Sequence, residues 1–415
     1  MNAQSARHTQ CIVAGGGPAG MMAGYLLARA GIAVTVMEKH ADFLRDFRGD
    51  TIHPSTMDDL AELGLLDAFL RLPHQKVRYA ELEIAGERMR AADFGRLPTR
   101  CRFIAFIPQW DFLNFMAEHA KAFPSFTLMM ETEAVDLIRG GGRIAGVVAR
   151  SPQGAQGELT ADLVIAADGR NSRLRDAAGL AVKNLGAPMD VLWFRLPRGP
   201  EEPGAVLGRI KAGGALIMLD RGDYWQCAFI IRKGTADALR AEGLEAFRAR
   251  VARFIGPAAA QGVASLDDVK LLTVTVDRLE TWHRPGLLCI GDAAHAMSPV
   301  GGVGINLAIQ DAIAAANLLV GPLRRGIPSE DDLRKVQQRR TFPTRATQAF
   351  QTIVQNRVID PVLRSSQEPR LPWLVRFLQR RLPVLQVIPA RLVGVGFRPE
   401  HVDLAVIDGP RGAGR

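Results

Sequence analysis

An α/β fold is predicted for this chain by three short apolar runs, each ending in a glycine turn. They are Cys11-Ile12-Val13-Ala14 before Gly15, Leu163-Val164-Ile165-Ala166-Ala167 before Asp168-Gly169, and Leu287-Leu288-Cys289-Ile290 before Gly291-Asp292. Uninterrupted apolar runs of this length suit parallel strands covered on both faces. Their wide separation points to one Rossmann-like sheet assembled from three stretches of chain. A mixed or antiparallel sheet is then inserted between them, and a helical C-terminal region comes last.

The first unit carries the most detail. Gly15-Gly16-Gly17-Pro18-Ala19-Gly20 is a G-x-G-x-x-G turn between a strand and a helix. Gly15 allows the sharp turn, Gly17 lets backbone approach a pyrophosphate, and Gly20 lets helix and strand pack closely. The helix runs from about Ala19 to Ala30 with Gly31 as its cap, and a second strand, Ala33 to Met37, ends at Glu38. That carboxylate is placed to accept hydrogen bonds from a ribose.

Further along, Thr56 to Leu66 reads as helical and Val77 to Arg90 as strands with Tyr79, Leu82 and Ile84 on one side. Pro108 opens a helix carrying Phe112, Phe115 and Met116, and a hairpin is expected from Leu128–Ile138 and Ile144–Ala149 across Gly140-Gly141-Gly142. Lys183 to Leu279 reads as strand-rich, with Trp193, Trp225 and Phe229 as inward-facing candidates. The expected division is a discontinuous nucleotide-binding domain (1–76, 101–182, 281–330), an inserted domain (77–100, 183–280) and a helical region (331–415).

At 415 residues, 47% hydrophobic and 23% charged, the chain is of globular composition and long enough for two or more domains. Cys11, Cys101, Cys227 and Cys289 form no C-x-x-C pair and read as small buried hydrophobes in a reducing compartment; no metal site is expected. The uncharged run from Cys11 to Ala28 is too rich in glycine for a membrane helix or signal sequence. No targeting segment is read, and a cytoplasmic location is expected. The net charge of +9 comes from arginines scattered along the chain, without a nucleic-acid-binding motif, so no nucleic-acid partner is expected.

The last of the three turns continues as Gly291-Asp292-Ala293-Ala294-His295-Ala296-Met297-Ser298-Pro299-Val300-Gly301-Gly302-Val303-Gly304-Ile305-Asn306. A carboxylate at the end of a buried strand can bind ribityl or ribose hydroxyls. Glycines ahead of a helix start can set backbone N–H groups against a flat polar ring, where they stabilise developing negative charge. Asp168-Gly169, by itself a common turn, sits at the strand end where ligands of open α/β sheets bind.

In order and spacing, the three motifs together resemble the group A flavoprotein monooxygenases, the p-hydroxybenzoate-hydroxylase-like aromatic hydroxylases. The resemblance implies a Rossmann-like FAD-binding domain with an inserted mixed/antiparallel-sheet substrate domain. It places Gly15, Gly17, Pro18, Ala19, Gly20, Glu38 and Lys39 around the AMP half of FAD, and Asp292 at the ribityl–pyrophosphate region. Pro299, Gly301, Gly302, Gly304, Ile305 and Asn306 would line the flavin ring, with Arg48 beside it, Gln109 as a polar contact, and Asp168 linked to both FAD and the nicotinamide cofactor.

No second G-x-G-x-x-G comes after a strand, in keeping with NAD(P)H as a transient reductant, and the choice of NADH or NADPH stays open. The implied reaction inserts one atom of O₂ into a small aromatic or heteroaromatic substrate through a flavin C4a-hydroperoxide. His53 and His295 are candidate bases by their proximity to the ring-binding motifs. The chain departs from parts of the family: with only Tyr25, Tyr79 and Tyr224, no phenol-activating tyrosine pair can be assigned, and no halogenase-type W-x-W-x-x-P is present. Two other readings are a flavin-dependent reductase or dehydrogenase of a lipophilic substrate and a non-catalytic flavin-binding redox sensor. The basic amphipathic stretch 371–382 suggests packing on the core or on a second copy in a homodimer, or peripheral membrane contact.

Overall fold

A computed structural model describes residues 7–44, 51–84, 86–199, 206–369 and 383–409. Four parallel strands form the centre of an eight-stranded sheet: β1 (Arg7–Ala14), β2 (Val34–Met37), β3 (Gln156–Ala166) and β4 (Leu287–Cys289). Ala14 pairs with Met37 on one side and Ala166 on the other, and Ala166 pairs with Cys289. One register row thus aligns all four strand ends, and Gly15, Glu38, Asp168 and Asp292 lie just beyond it on the same edge of the sheet. The chain passes from β1 to β2 on one side and returns to β3 on the other. This reversal opens a crevice at the carboxyl ends.

Helices α1 (Pro18–Arg29), α2 (Pro54–Glu62), α3 (Gly304–Arg325) and α4 (Glu330–Val354) surround this sheet's site edge. Val300–Arg325 is long and apolar enough to cross a membrane, but 83% of its most apolar window is buried in the protein, as in a core helix. The expected helix from Thr56 to Leu66 is in fact two, because Gly64 takes φ +76° between α2 and a short turn at Leu66–Phe69.

A separate seven-stranded sheet runs in the order Lys270–Leu272, Met189–Pro197, Tyr224–Arg232, Gly214–Asp220, Val206–Lys211, Tyr79–Ile84, Glu87–Asp93. Side chains alternate across it. Leu192, Phe194, Trp225 and Phe229 pack on Phe247, Val251 and Phe254 of the helix Leu244–Ile255. The strand-rich reading of 183–279 leaves that helix out, although its apolar residues at i, i+4 and i+7 announce it. Trp193 lies on the opposite face from Trp225 and Phe229, with Val191, Ile217 and Ala228 against Val274 and Val276. On this face too, Leu219 and Ala80 join Phe106 and Val393. The sheet therefore has one face closed by its own helices and one turned to the rest of the chain. The stretch 371–382 lies outside the described residues.

Candidate active site

The three motifs meet in space. A Cβ added at Gly15, which holds φ +110°, would collide with the Ala167 carbonyl next to Asp168. One at Gly20 would collide with the Gly15 carbonyl, so α1 seats directly on the turn. Gly291 packs between Ala19 of α1 and Ala308 of α3, with its Cβ direction 3.1 Å and 3.3 Å from their methyl carbons. Close packing at these glycines is what brings the strand-end turns together.

The polar groups at this edge are held in place. Glu38 is buried, and its carboxylate accepts from the Gly16 amide (3.1 Å) and the His40 amide (3.1 Å). Lys39 beside it is exposed. Asp168 accepts from the Ser172 hydroxyl and the Leu174 amide. Burial raises its carboxyl above the ordinary range despite those donors. Asp292 receives a charged hydrogen bond from Arg170 Nε at 2.9 Å, which links the second motif to the third. Gln109 is the first residue of the helix Gln109–Ala120. Arg48 lies outside the described residues.

The 299–304 turn is built on glycine backbone. Gly301 and Gly302 take φ +79° and +65°. A Cβ at Gly302 would stand 2.9 Å from Thr51 Oγ1, and one at Gly301 would stand 3.2 Å from a Val393 methyl. Thr51 donates to the Gly302 carbonyl at 3.1 Å. His53 is wholly buried beside this turn and bonds the Val393 carbonyl through Nδ1 at 2.7 Å, while Nε2 has no hydrogen-bond partner among the described residues. Burial pushes its pKa down to about 4, against the opposing pull of the Val393 and Gly302 carbonyls. The imidazole is therefore neutral, with its one N–H shared between positions that face the Val393 and Gly302 carbonyls. The Asn306 side chain accepts from the Ser55 and Thr56 hydroxyls of α2 through Oδ1.

These residues suit an extended dinucleotide with a flat ring. Neither α1 nor α3 has a side-chain cap at its N-terminus, so their first N–H groups are left for a ligand. A Cβ at Gly17 or Gly304 would meet nothing within 4 Å, so both glycines border open space at those helix starts. A buried carboxylate at one end and glycine backbone at the other match a ribose and an isoalloxazine.

The family model described as "FAD binding domain" matches residues 8–350. The chain belongs to this family. The protein from Streptomyces rimosus named 6-methylpretetramide 4-monooxygenase is 35% identical over 361 residues, covering 85% of this chain and 84% of its own length. Para-nitrophenol 4-monooxygenase of Pseudomonas sp. (strain WBC-3) is 23% identical over 346 residues, 80% of this chain and 84% of that one. Among solved structures, P. aeruginosa PqsL in complex with 2-aminobenzoylacetate shares the fold, with a TM-score of 0.73 at 24% identity over 85% of this chain and 97% of its own. This flavoprotein is an FAD-dependent monooxygenase of the group A type, acting on a small molecule with O₂.

The flavoprotein also contains a buried charge network that the motifs did not reveal. His295 Nε2 lies 2.6 Å from Asp311 Oδ2, Arg340 Nε lies 2.8 Å from Asp311 Oδ1, and Arg340 continues to Glu400 at 3.3 Å. All four side chains are at most 1% exposed. Burial alone would raise the Asp311 carboxyl, but His295 and Arg340 on either side hold it below the ordinary range. The same carboxylate accepts from the Gly291 amide at 3.0 Å, so the network pins the start of the third motif to α3 and α4. His295 is thus engaged away from the glycine turn. The partners sit 16 and 45 residues further along the chain, beyond the reach of a motif reading.

Proposed function

We propose that the enzyme hydroxylates an electron-rich aromatic ring with NAD(P)H and O₂. The substrate lies between the 299–304 turn and the open face of the seven-stranded sheet. The observation that carries this reading is the position of Val393. It takes the His53 hydrogen bond, abuts Gly301, and shares an apolar cluster with Leu219 and Ala80 of that sheet. The 299–304 turn and this sheet face are therefore joined through one apolar cluster, which is where the proposed substrate site is placed. The activities for which 6-methylpretetramide 4-monooxygenase and para-nitrophenol 4-monooxygenase are named support an aromatic substrate.

In this reading the Gly15–Gly20 turn and Glu38 hold the AMP half, and Asp292 with Arg48 holds the middle of the cofactor. Pro299, Gly301, Gly302 and Gly304 face the ring. Bound FAD supplies the two-electron and oxygen chemistry. The protein's own tasks are to orient the substrate, exclude water and hold protons. Neutral His53 is a buried prop behind the 299–304 turn, bonding the Val393 carbonyl beside Gly302. Residues 77–100 and 183–280 form the substrate domain of this scheme, and 331–415 the helical region behind the ring.

The test starts from the visible spectrum of purified protein. NADH and NADPH oxidation is then measured with para-nitrophenol and with fused-ring phenols, and products are weighed. A product heavier by one oxygen atom is expected. A product gaining two hydrogens instead would establish the reductase reading, and protein that refuses FAD would remove both. A cytoplasmic location, a homodimer and lipid contact by residues 371–382 belong to the same proposal. Light scattering should give twice the monomer mass, and co-sedimentation with anionic vesicles at low salt should be measurable. A monomer that stays in the supernatant would strike out the last two.

A further inference from the structure

Helix α4 buries a polar stripe where a helix ordinarily buries an apolar one. Arg340, Thr344, Thr347, Gln348, Gln351 and, in the π turn after it, Gln355 are each at most 6% exposed and recur at helical spacing. The three glutamines all reach the segment that leads into the 299–302 turn. Gln348 Nε2 donates to the Asp277 carbonyl (2.6 Å) and the Ala296 carbonyl (3.3 Å). Gln351 Nε2 donates to the Ser298 and Val300 carbonyls, both at 2.9 Å, while its Oε1 accepts from the Ser298 amide at 3.2 Å. Gln355 Nε2 donates to the Ser298 hydroxyl at 2.7 Å.

These bonds matter because the next two residues of the chain, Gly301 and Gly302, both occupy the left-handed region. Glycine there has no side chain to enforce one conformation. A peptide in such a turn can flip and present its carbonyl where its N–H had been. Hydrogen bonds must therefore decide which side faces the ligand. Glutamine donors bind the carbonyls of Ala296, Ser298 and Val300, and Thr51 binds that of Gly302. Those carbonyls are thereby tied back into the protein, as are the amides of Ala296, Ser298, Val300 and Gly302, and the donors left for the ring are those at the uncapped start of α3.

We propose that Gln351, assisted by Gln348 and Gln355, is a positioning residue for the flavin. By fixing the carbonyls of the 296–300 segment against α4 it keeps hydrogen-bond donors at the isoalloxazine, and so sets the affinity for FAD and the preference for its reduced, negatively charged form. This inference rests on the 299–304 turn being the flavin-ring site.

The test uses full-length Gln351→Met, Gln355→Met and, as control, Gln337→Met. Gln337 is also on α4 and makes two comparable bonds, to the Trp282 amide and the Glu280 carbonyl, away from the turn. Apoprotein is titrated with FAD, and the reduction potential is measured by equilibration with reference dyes. Gln351→Met should raise the FAD Kd about tenfold, about 1.4 kcal/mol. It should also weaken reduced FAD more than oxidised, which lowers the potential. Gln355→Met should do the same to a smaller degree, and Gln337→Met should leave both values at wild type. A folded Gln351→Met with Kd within about twofold of wild type and an unmoved potential would overturn the proposal. So would an equal shift in Gln337→Met. If Gln351→Met does not fold, Gln351→Glu, which keeps the acceptor and loses the donor, takes its place with the same expectations. Failure of the wild-type protein itself to take up FAD would instead reject the site.

Discussion

At Gly20 an added Cβ collides with the Gly15 carbonyl, whereas at Gly304 it meets nothing within 4 Å. The two glycine turns proposed to hold the cofactor are shaped by different forces. The turn after β1 is fixed by steric contact between neighbours in sequence, with α1 seated on backbone that only glycine leaves clear. The turn ahead of α3 is fixed by hydrogen bonds from residues far along the chain, Thr51 on one side and the α4 glutamines on the other. The difference teaches where each site is fragile: the first to added bulk, the second to a lost donor or charge.

The sharpest way to break this contrast is Gly20→Ala against Gly304→Ala. The first should give colourless protein with low folded yield, because α1 must leave the sheet. The second should keep the fold, with stability unchanged or raised by up to about 1 kcal/mol. A yellow, wild-type-stable Gly20→Ala protein would end the steric account. Next in size is Arg340→Leu, which strands Asp311 in the core. Loss of one partner of a buried pair is worth about 3–5 kcal/mol, read from urea unfolding. A loss under about 1 kcal/mol would show that the network does not hold the second turn.

His53 sharpens the comparison through pH. Its folded pKa of about 4 lies below its ordinary 6.5, so the unfolded chain binds the proton first. Its contribution is fully present above pH 6.5 and disappears as pH falls toward 4, amounting to roughly 3 kcal/mol. Asp311 also has a lowered pKa, but its contribution is lost only below the ordinary carboxylate value of 3.8. Urea unfolding at pH 7 and pH 4.5 should therefore show a drop in wild type that His53→Gln largely removes; equal drops in both proteins would assign the pH effect elsewhere. The smallest effect is expected at Glu38→Gln. It keeps one acceptor for the Gly16 amide and loses the charge, so FAD affinity should fall a few-fold, within the roughly 1 kcal/mol of a single hydrogen bond. A hundredfold loss would mean that the carboxylate does far more than shape the turn and meet a ribose.

Particular residues mark how far a reading of the chain could go. Gly15, Gly20 and Glu38 were legible because strand, turn and helix are consecutive and their steric rules are local. The apolar runs that became β1, β3 and β4 were legible too, since a strand covered on both faces must be apolar at every position. That the Asn306 side chain bonds Ser55 and Thr56 was not legible, because the rotation of α3 about its axis depends on packing against α2. Arg340 and Gln351 lie in the stretch read only as a helical region, where nothing local marks them as buried. Composition cannot distinguish a solvated polar face from one buried against another segment's carbonyls.

The amino-acid order by itself determined the strand-ending turns, their glycines and the acids that come after them. These are rules of covalent geometry acting over a few residues. Only the tertiary structure decided that one register row would align Met37, Ala14, Ala166 and Cys289, and that α4 would turn its glutamines onto the 296–300 segment. The reason is that hydrogen bonds between distant parts of a chain are specified by position in space, which side-chain chemistry constrains but local sequence does not encode.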